Sequence, residues 1–173
     1  MADPLRRSLQ DKLFPCLLNR LTDDYPKAKR ERREHRIQTL RQYREAFLTD
    51  IAFLLNSALP MPPKAMAAAG LAQTERSVLC YGVESSSGTW ISSDRLELVS
   101  ADVRRALVRF EPRLNPQTLD VRVLDQSSPD TETGSMVSVD IRGELWAEPL
   151  TEQMLVRASV DLDTGHWRVR SMR

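Results

Sequence analysis

From Leu119 onward the apolar residues fall on alternate positions: Leu119, Val121 and Val123; Val137, Val139 and Ile141; Met154, Val156, Ala158, Val160 and Leu162; Trp167 and Val169. A strand turns successive side chains to opposite faces, so each run has one face to bury and one to leave in water. Met136 disturbs the alternation slightly, and Gly143 ahead of Leu145 and Trp146 predicts a bulge. Asp163-Thr164-Gly165 predicts a tight turn between the last two runs. The result is an antiparallel meander that needs a cover on one side. Helices must supply it, which limits the fold to a two-layer α+β domain with the sheet in the C-terminal half.

The covering helices are legible upstream. Ile37, Leu40, Tyr43, Phe47, Ile51, Leu54 and Leu55 recur at threes and fours, predicting a helix from about Arg33 to Asn56. Its polar face carries Arg36, Arg41, Arg44, Glu45 and Asp50. A second helix is expected from Ser100, an N-cap residue with Asp102 in the first turn, to Pro112, with Val103, Leu107 and Phe110 inward. Before the first helix, Leu9, Leu13, Phe14, Leu17, Leu18 and Leu21 form an apolar cluster interrupted by Pro15. Residues 58–73 are rich in Pro and Ala and predict a loop with one turn of helix around Ala65–Ala69. "SVLCYGV" (Ser77–Val83) reads as a short apolar segment ending at Gly82, and Glu84–Trp90 as a loop. At 173 residues the chain divides into an extension, 1–32, and one α+β domain, 33–173, with 58–73 as an insertion.

Composition excludes several functions. Net charge is +1, which argues against a protein devoted to neutralising phosphates. The basic run Lys27, Lys29, Arg30, Arg32, Arg33, Arg36, Arg41 and Arg44 has no aromatic before Tyr43. It reads as a solvated helix face or a docking face for an acidic partner rather than a nucleic-acid footprint. Cys16 and Cys80 are far apart and suggest neither a metal site nor a redox pair, so a reduced, cytoplasmic setting is expected. No apolar run approaches the ~20 residues that span a bilayer. The segment Leu13–Leu18 is too short for a signal peptide.

Catalytic constellations are missing as well. His35 lies in the basic run and His166 beside a turn, and no Ser–His–Asp arrangement is visible. Glu84 and Glu111 could be nominated as a glycosidase pair, but 24 acidic residues offer many such pairs. Ser85-Ser86-Ser87-Gly88 lacks the glycine pattern and lysine of a phosphate loop. No catalytic residue, metal ligand or cofactor is expected.

One element does not fit local energetics. Glu111-Pro112-Arg113-Leu114 closes the second helix, and a carboxylate at the negative end of a helix dipole is unfavourable by ~0.3–1 kcal/mol. In extended chain Glu111 and Arg113 project the same way. Two readings stand: a local ion pair, or a two-pronged charged element for a partner.

"LFPCLLNRLTDD" (Leu13–Asp24), "SVLCYGV", "VRRALVRFEPRL" (Val103–Leu114), "VDIRGELW" (Val139–Trp146) and "VDLDTGHWRV" (Val160–Val169) occur in the order seen in the TssE family. These are small baseplate proteins of bacterial type VI secretion systems, similar to the small baseplate wedge protein of contractile-tailed phages. The resemblance covers most of the chain. It implies a structural, non-enzymatic subunit in the cytoplasm, in a baseplate docked at the inner membrane complex. The implied partners are the wedge proteins TssF, TssG and TssK and the sheath subunits TssB and TssC. It further implies that Glu111, Pro112 and Arg113 contact the wedge core bundle and that the subunit templates the contractile sheath. Residues 58–73 and the basic run depart from the family pattern. The alternatives are a lysozyme-like cell-wall hydrolase and a nucleic-acid adaptor.

Overall fold

The structure, a computed structural model, describes residues 13, 15–22, 26–27, 38–85, 93–124, 136–147 and 150–172. The sheet is the expected meander. Strands β1 (Asp120–Val123), β2 (Met136–Ala147), β3 (Leu150–Asp161) and β4 (Trp167–Ser171) lie in that order, each antiparallel to the next. The register sets Val139 opposite Ala158 and Ile141 opposite Val156, which gathers the apolar sets on one face. Val137, Val139, Ile141, Leu145, Val156, Ala158 and Val160 are each no more than 2% exposed there.

Helix α2 (Leu40–Leu55) lays Tyr43, Phe47, Ile51, Leu54 and Leu55 into this core, as the stripe predicts. Its start differs from the expected Arg33. Thr39 is extended, its hydroxyl accepts from the Gln42 amide at 3.3 Å, and the Gln42 side chain accepts from the Thr39 amide at 2.9 Å. This reciprocal cap ends the helix on its N-terminal side. Just ahead, Gln38 N–H donates to the Leu13 carbonyl, so the chain there is bridged rather than helical. Most of the basic run, with His35, lies outside the described residues. The two described arginines of that run on α2 are engaged: Arg41 with Glu45 at 2.8 Å, and Arg44 with Glu152 of β3.

A short helix, α1 (Leu17–Leu21), follows Pro15, and its leucines 17, 18 and 21 are exposed. Within 58–73 the expected helical turn is present as α3 (Pro63–Ala68), with Pro63 at the first helical position, where its missing N–H costs nothing. An unforeseen second turn, α4 (Ala72–Glu75), follows it. Val78–Cys80 forms a 3-10 turn that buries Cys80, whose sulfur lies 3.4 Å from the Met66 sulfur. Gly82 then sits at φ +124°, where a Cβ would overlap the Ser57 carbonyl oxygen. That close approach lets Val83 N–H donate to Ser57 and Leu59 N–H to Val83, tying the segment after α2 back to the end of that helix.

The second long helix is longer than Ser100 suggested. α5 runs Ser93–Phe110 and packs on β1 and α2. Ser100 is inside it, its hydroxyl donating to the Glu97 carbonyl at 2.8 Å. Back-bonding of this kind makes a mid-helix serine tolerable. Leu96 and Val99, at helical spacing from Val103, Ala106 and Leu107, hold the extra turns against the core. Asp102 accepts instead from Arg105 and from the Glu84 amide.

One further expectation changes. Gly143 is not a bulge, because β2 and β3 pair without a break from Met136↔Asp161 to Ala147↔Leu150. Gly143 lies beneath Leu114 and Leu119, whose atoms would stand 3.6 Å from a Cβ there. β3 is interior over Val156–Val160, and the outer strands are β1 and β4.

Candidate partner-binding site at the charged corner

The corner begins where α5 stops. Glu111 N–H makes the last helical bond to Leu107 at 2.9 Å, and Pro112, which has no N–H, prevents another turn. Leu114 N–H donates to the Glu111 carbonyl at 3.2 Å, and the Leu114 side chain is buried. The chain is then stitched to β2: Trp146 N–H donates to the Arg113 carbonyl at 2.7 Å, and Asn115 N–H to the Glu144 carbonyl at 2.9 Å.

Glu111 and Arg113 point together, as i and i+2 predict, but they point at each other. Arg113 Nε and Nη2 donate to the two oxygens of Glu111, each at 2.6 Å, in the bidentate geometry that makes such pairs strong. The Arg113 amide adds a third bond to Glu111 at 3.2 Å. Glu111 is only 5% exposed. The carboxylate that the helix dipole disfavours is therefore held by its own neighbour two residues on.

A third charge completes the cluster. Arg113 Nη2 also donates to Asp50 of α2 at 2.6 Å. Its guanidinium lies 5.2 Å from the centre of the Phe47 ring and 5.9 Å from that of Tyr43, within cation–π range. Burial pushes the Arg113 guanidinium down, but the bonds and charges of Glu111 and Asp50 outweigh it and hold it above its ordinary value. Tyr43 donates to the Trp146 carbonyl at 3.1 Å, and burial raises its phenol. With two carboxylates and one guanidinium, the corner keeps one net negative charge.

Asp50 was not singled out in the sequence as part of this site, although the signal is there. It lies three residues after Phe47 and seven after Tyr43, on the margin of the buried stripe, where an acid requires a partner. Trp146 and Glu144 joined the corner only through pairing across the sheet, which no local pattern announces. Pro112 is exposed at the tip.

The other nominated residues are not drawn together. Glu84 caps no site of its own and donates its amide to Asp102 at 2.7 Å. His166 is exposed beside the β3–β4 turn. Cys16 and Cys80 are unpaired thiols. Among the described residues no group of His, Cys, Asp and Glu could hold a metal ion, and no helix is long and apolar enough to cross a membrane. A family model described as "Baseplate wedge protein gp25" matches residues 41–150, which span α2, α5, the corner, β1 and β2. No curated protein and no solved structure matches the chain.

Proposed function

Because the chain belongs to the baseplate wedge protein gp25 family, a structural family of contractile machines, we propose that it is the small subunit of a type VI secretion baseplate. In this reading it joins TssF, TssG and TssK in the wedge and presents its sheet to the first TssB–TssC ring of the sheath. The order of the five motifs from Leu13 to Val169 favours the secretion system over a phage tail. The corner 111–113 is the face turned to the wedge core. Its role is to hold a rigid, locally negative tip, with Pro112 outermost, rather than to offer free prongs.

The observation that carries the sheath half of the reading is the edge of β4. Met172 N–H donates to Leu155, which fixes the hydrogen-bonded pairs of β3 and β4 and turns the N–H and C=O of Val169 and Ser171 outward. Those groups have no partner among the described residues, and an open edge accepts strands. A hydrolase would need a carboxyl group open to substrate with a raised pKa. Glu111 is closed off by Arg113, and no observation favours that alternative.

The direct test is co-production with TssF and TssG followed by size-exclusion chromatography. Co-elution of the three chains is expected. Separate elution of a folded small subunit would overturn the wedge assignment.

A further inference from the structure

A surface groove of about 270 Å³ opens beside the corner, lined by Pro112, Leu114, Pro116, Glu144, Trp146 and Thr151. Trp146 is 60% exposed, although its backbone is bonded on both sides, to Arg113 and to Tyr43. A tryptophan with a pinned backbone and most of its surface in water is an uncommon arrangement for a fully folded surface. Pro112 and Pro116 are also exposed, so the walls are apolar and stiff.

The chemistry of the groove selects its occupant. Glu144 accepts from the amides of Asn115 and Gln153 at 3.2 and 2.9 Å, but it makes no ion pair within 4 Å among the described residues. Arg104 donates to the Pro116 carbonyl at 3.4 Å, and neither it nor Arg142, two positions before Glu144 on the same face, makes an ion pair with Glu144. The adjoining cluster of Asp50, Glu111 and Arg113 adds its own net negative charge. A carboxylate without an ion pair, lining the same groove as an exposed indole, suits one kind of side chain. An arginine or lysine can lay its stem on Trp146 and the prolines and bring its head to Glu144.

We propose that this groove is a docking site for a basic side chain projecting from another subunit of the baseplate wedge. The proposal rests on the wedge assignment and supplies what the closed corner lacks, a group free to meet a partner. Trp146 is the anchor and Glu144 selects charge, while the Glu111–Arg113–Asp50 cluster positions both through the bond from Trp146 to Arg113.

The test uses the full chain co-produced with TssF and TssG. Trp146→Ala and Glu144→Lys should each reduce recovery of the complex at least ten-fold, and Glu144→Gln several-fold, with unchanged thermal unfolding of the isolated chains. Arg142→Ala, on the same face outside the groove, should assemble normally. A photo-reactive phenylalanine in place of Trp146 should crosslink to a partner peptide containing Arg or Lys. Normal assembly of Trp146→Ala and Glu144→Lys, or a crosslinked peptide without a basic residue, overturns the groove and leaves the wedge assignment standing. A wild-type chain that fails to assemble overturns both.

Discussion

Arg113 is the residue on which the corner depends, because it is bonded to two carboxylates of which one is buried. Removing one member of a buried ion pair strands the other, typically at a cost of ~3–5 kcal/mol. Arg113→Ala should therefore lower the unfolding free energy in urea by about 3 kcal/mol, more than Asp50→Ala, since Asp50 is partly solvated. The double variant should lose less than the sum of the two, with a coupling of about 1 kcal/mol or more. Simple additivity would mean that the Asp50 bond contributes nothing. Tyr43 offers a second measurement. Tyr43→Phe deletes the bond to Trp146 and should cost about 1 kcal/mol near neutral pH. Burial raises the Tyr43 phenol from 10.0, so the folded state keeps a proton that the unfolded chain releases. Its contribution is whole below about pH 10 and is lost as pH climbs through the folded value. The alkaline fall in stability should be shallower in Tyr43→Phe, with the share of Tyr81, also raised by burial, remaining. An identical alkaline profile in the variant would show that Tyr43 ionises as it does in the unfolded chain.

At the scale of elements, one side chain joins the C-terminal end of α2 to β4. Asn56, just past α2, accepts from Trp167 N–H and donates to Trp167 C=O, both at 3.0 Å. It takes the place of a neighbouring strand at the first outward position of β4. Asn56→Ala should destabilise the domain by ~1–2 kcal/mol, two backbone groups losing their partners, and should speed amide exchange at Trp167 before that of β2. Unchanged exchange would show that solvent already satisfies these groups. The period-two runs were readable because β2, β3 and β4 bury one continuous face, so each strand carries its own record of the core. Helix starts were less readable. Thr39 caps α2 through a contact with Gln42 that competes with the apolar Ile37 upstream, and Ser100 resembles a cap while its neighbours Leu96 and Val99 hold the helix on the core. The corner was half readable: Pro112 announces the stop, and the Glu111–Arg113 spacing announces a pair. Its burial depends on Asp50, 61 positions before Glu111, and on β2, neither of which local spacing reveals.

The whole molecule is a sheet with helices on one face, a polar face on the other and an outer strand that is only partly closed. Among the described residues the outward groups of Val169 and Ser171 remain open, and Arg168 and Arg170 beside them discourage indiscriminate pairing without filling those sites. Ser171→Pro removes one N–H that the domain itself does not use, so its circular dichroism and thermal unfolding should match the wild type. If the edge receives sheath strands, cells carrying this variant should form baseplates but few or no sheaths, counted by fluorescence of tagged TssB. Sheaths of normal number and length would remove β4 from the templating role. The asparagine that closes Trp167 has a further consequence for any strand that does arrive. With the first position filled, pairing can start only opposite Val169, and a shift of two residues toward the turn would have to evict Asn56. If sheath strands do add there, Asn56 would act as a stop on a ruler: it would fix the offset of the first added chain, and every layer stacked above would inherit its phase from that single amide.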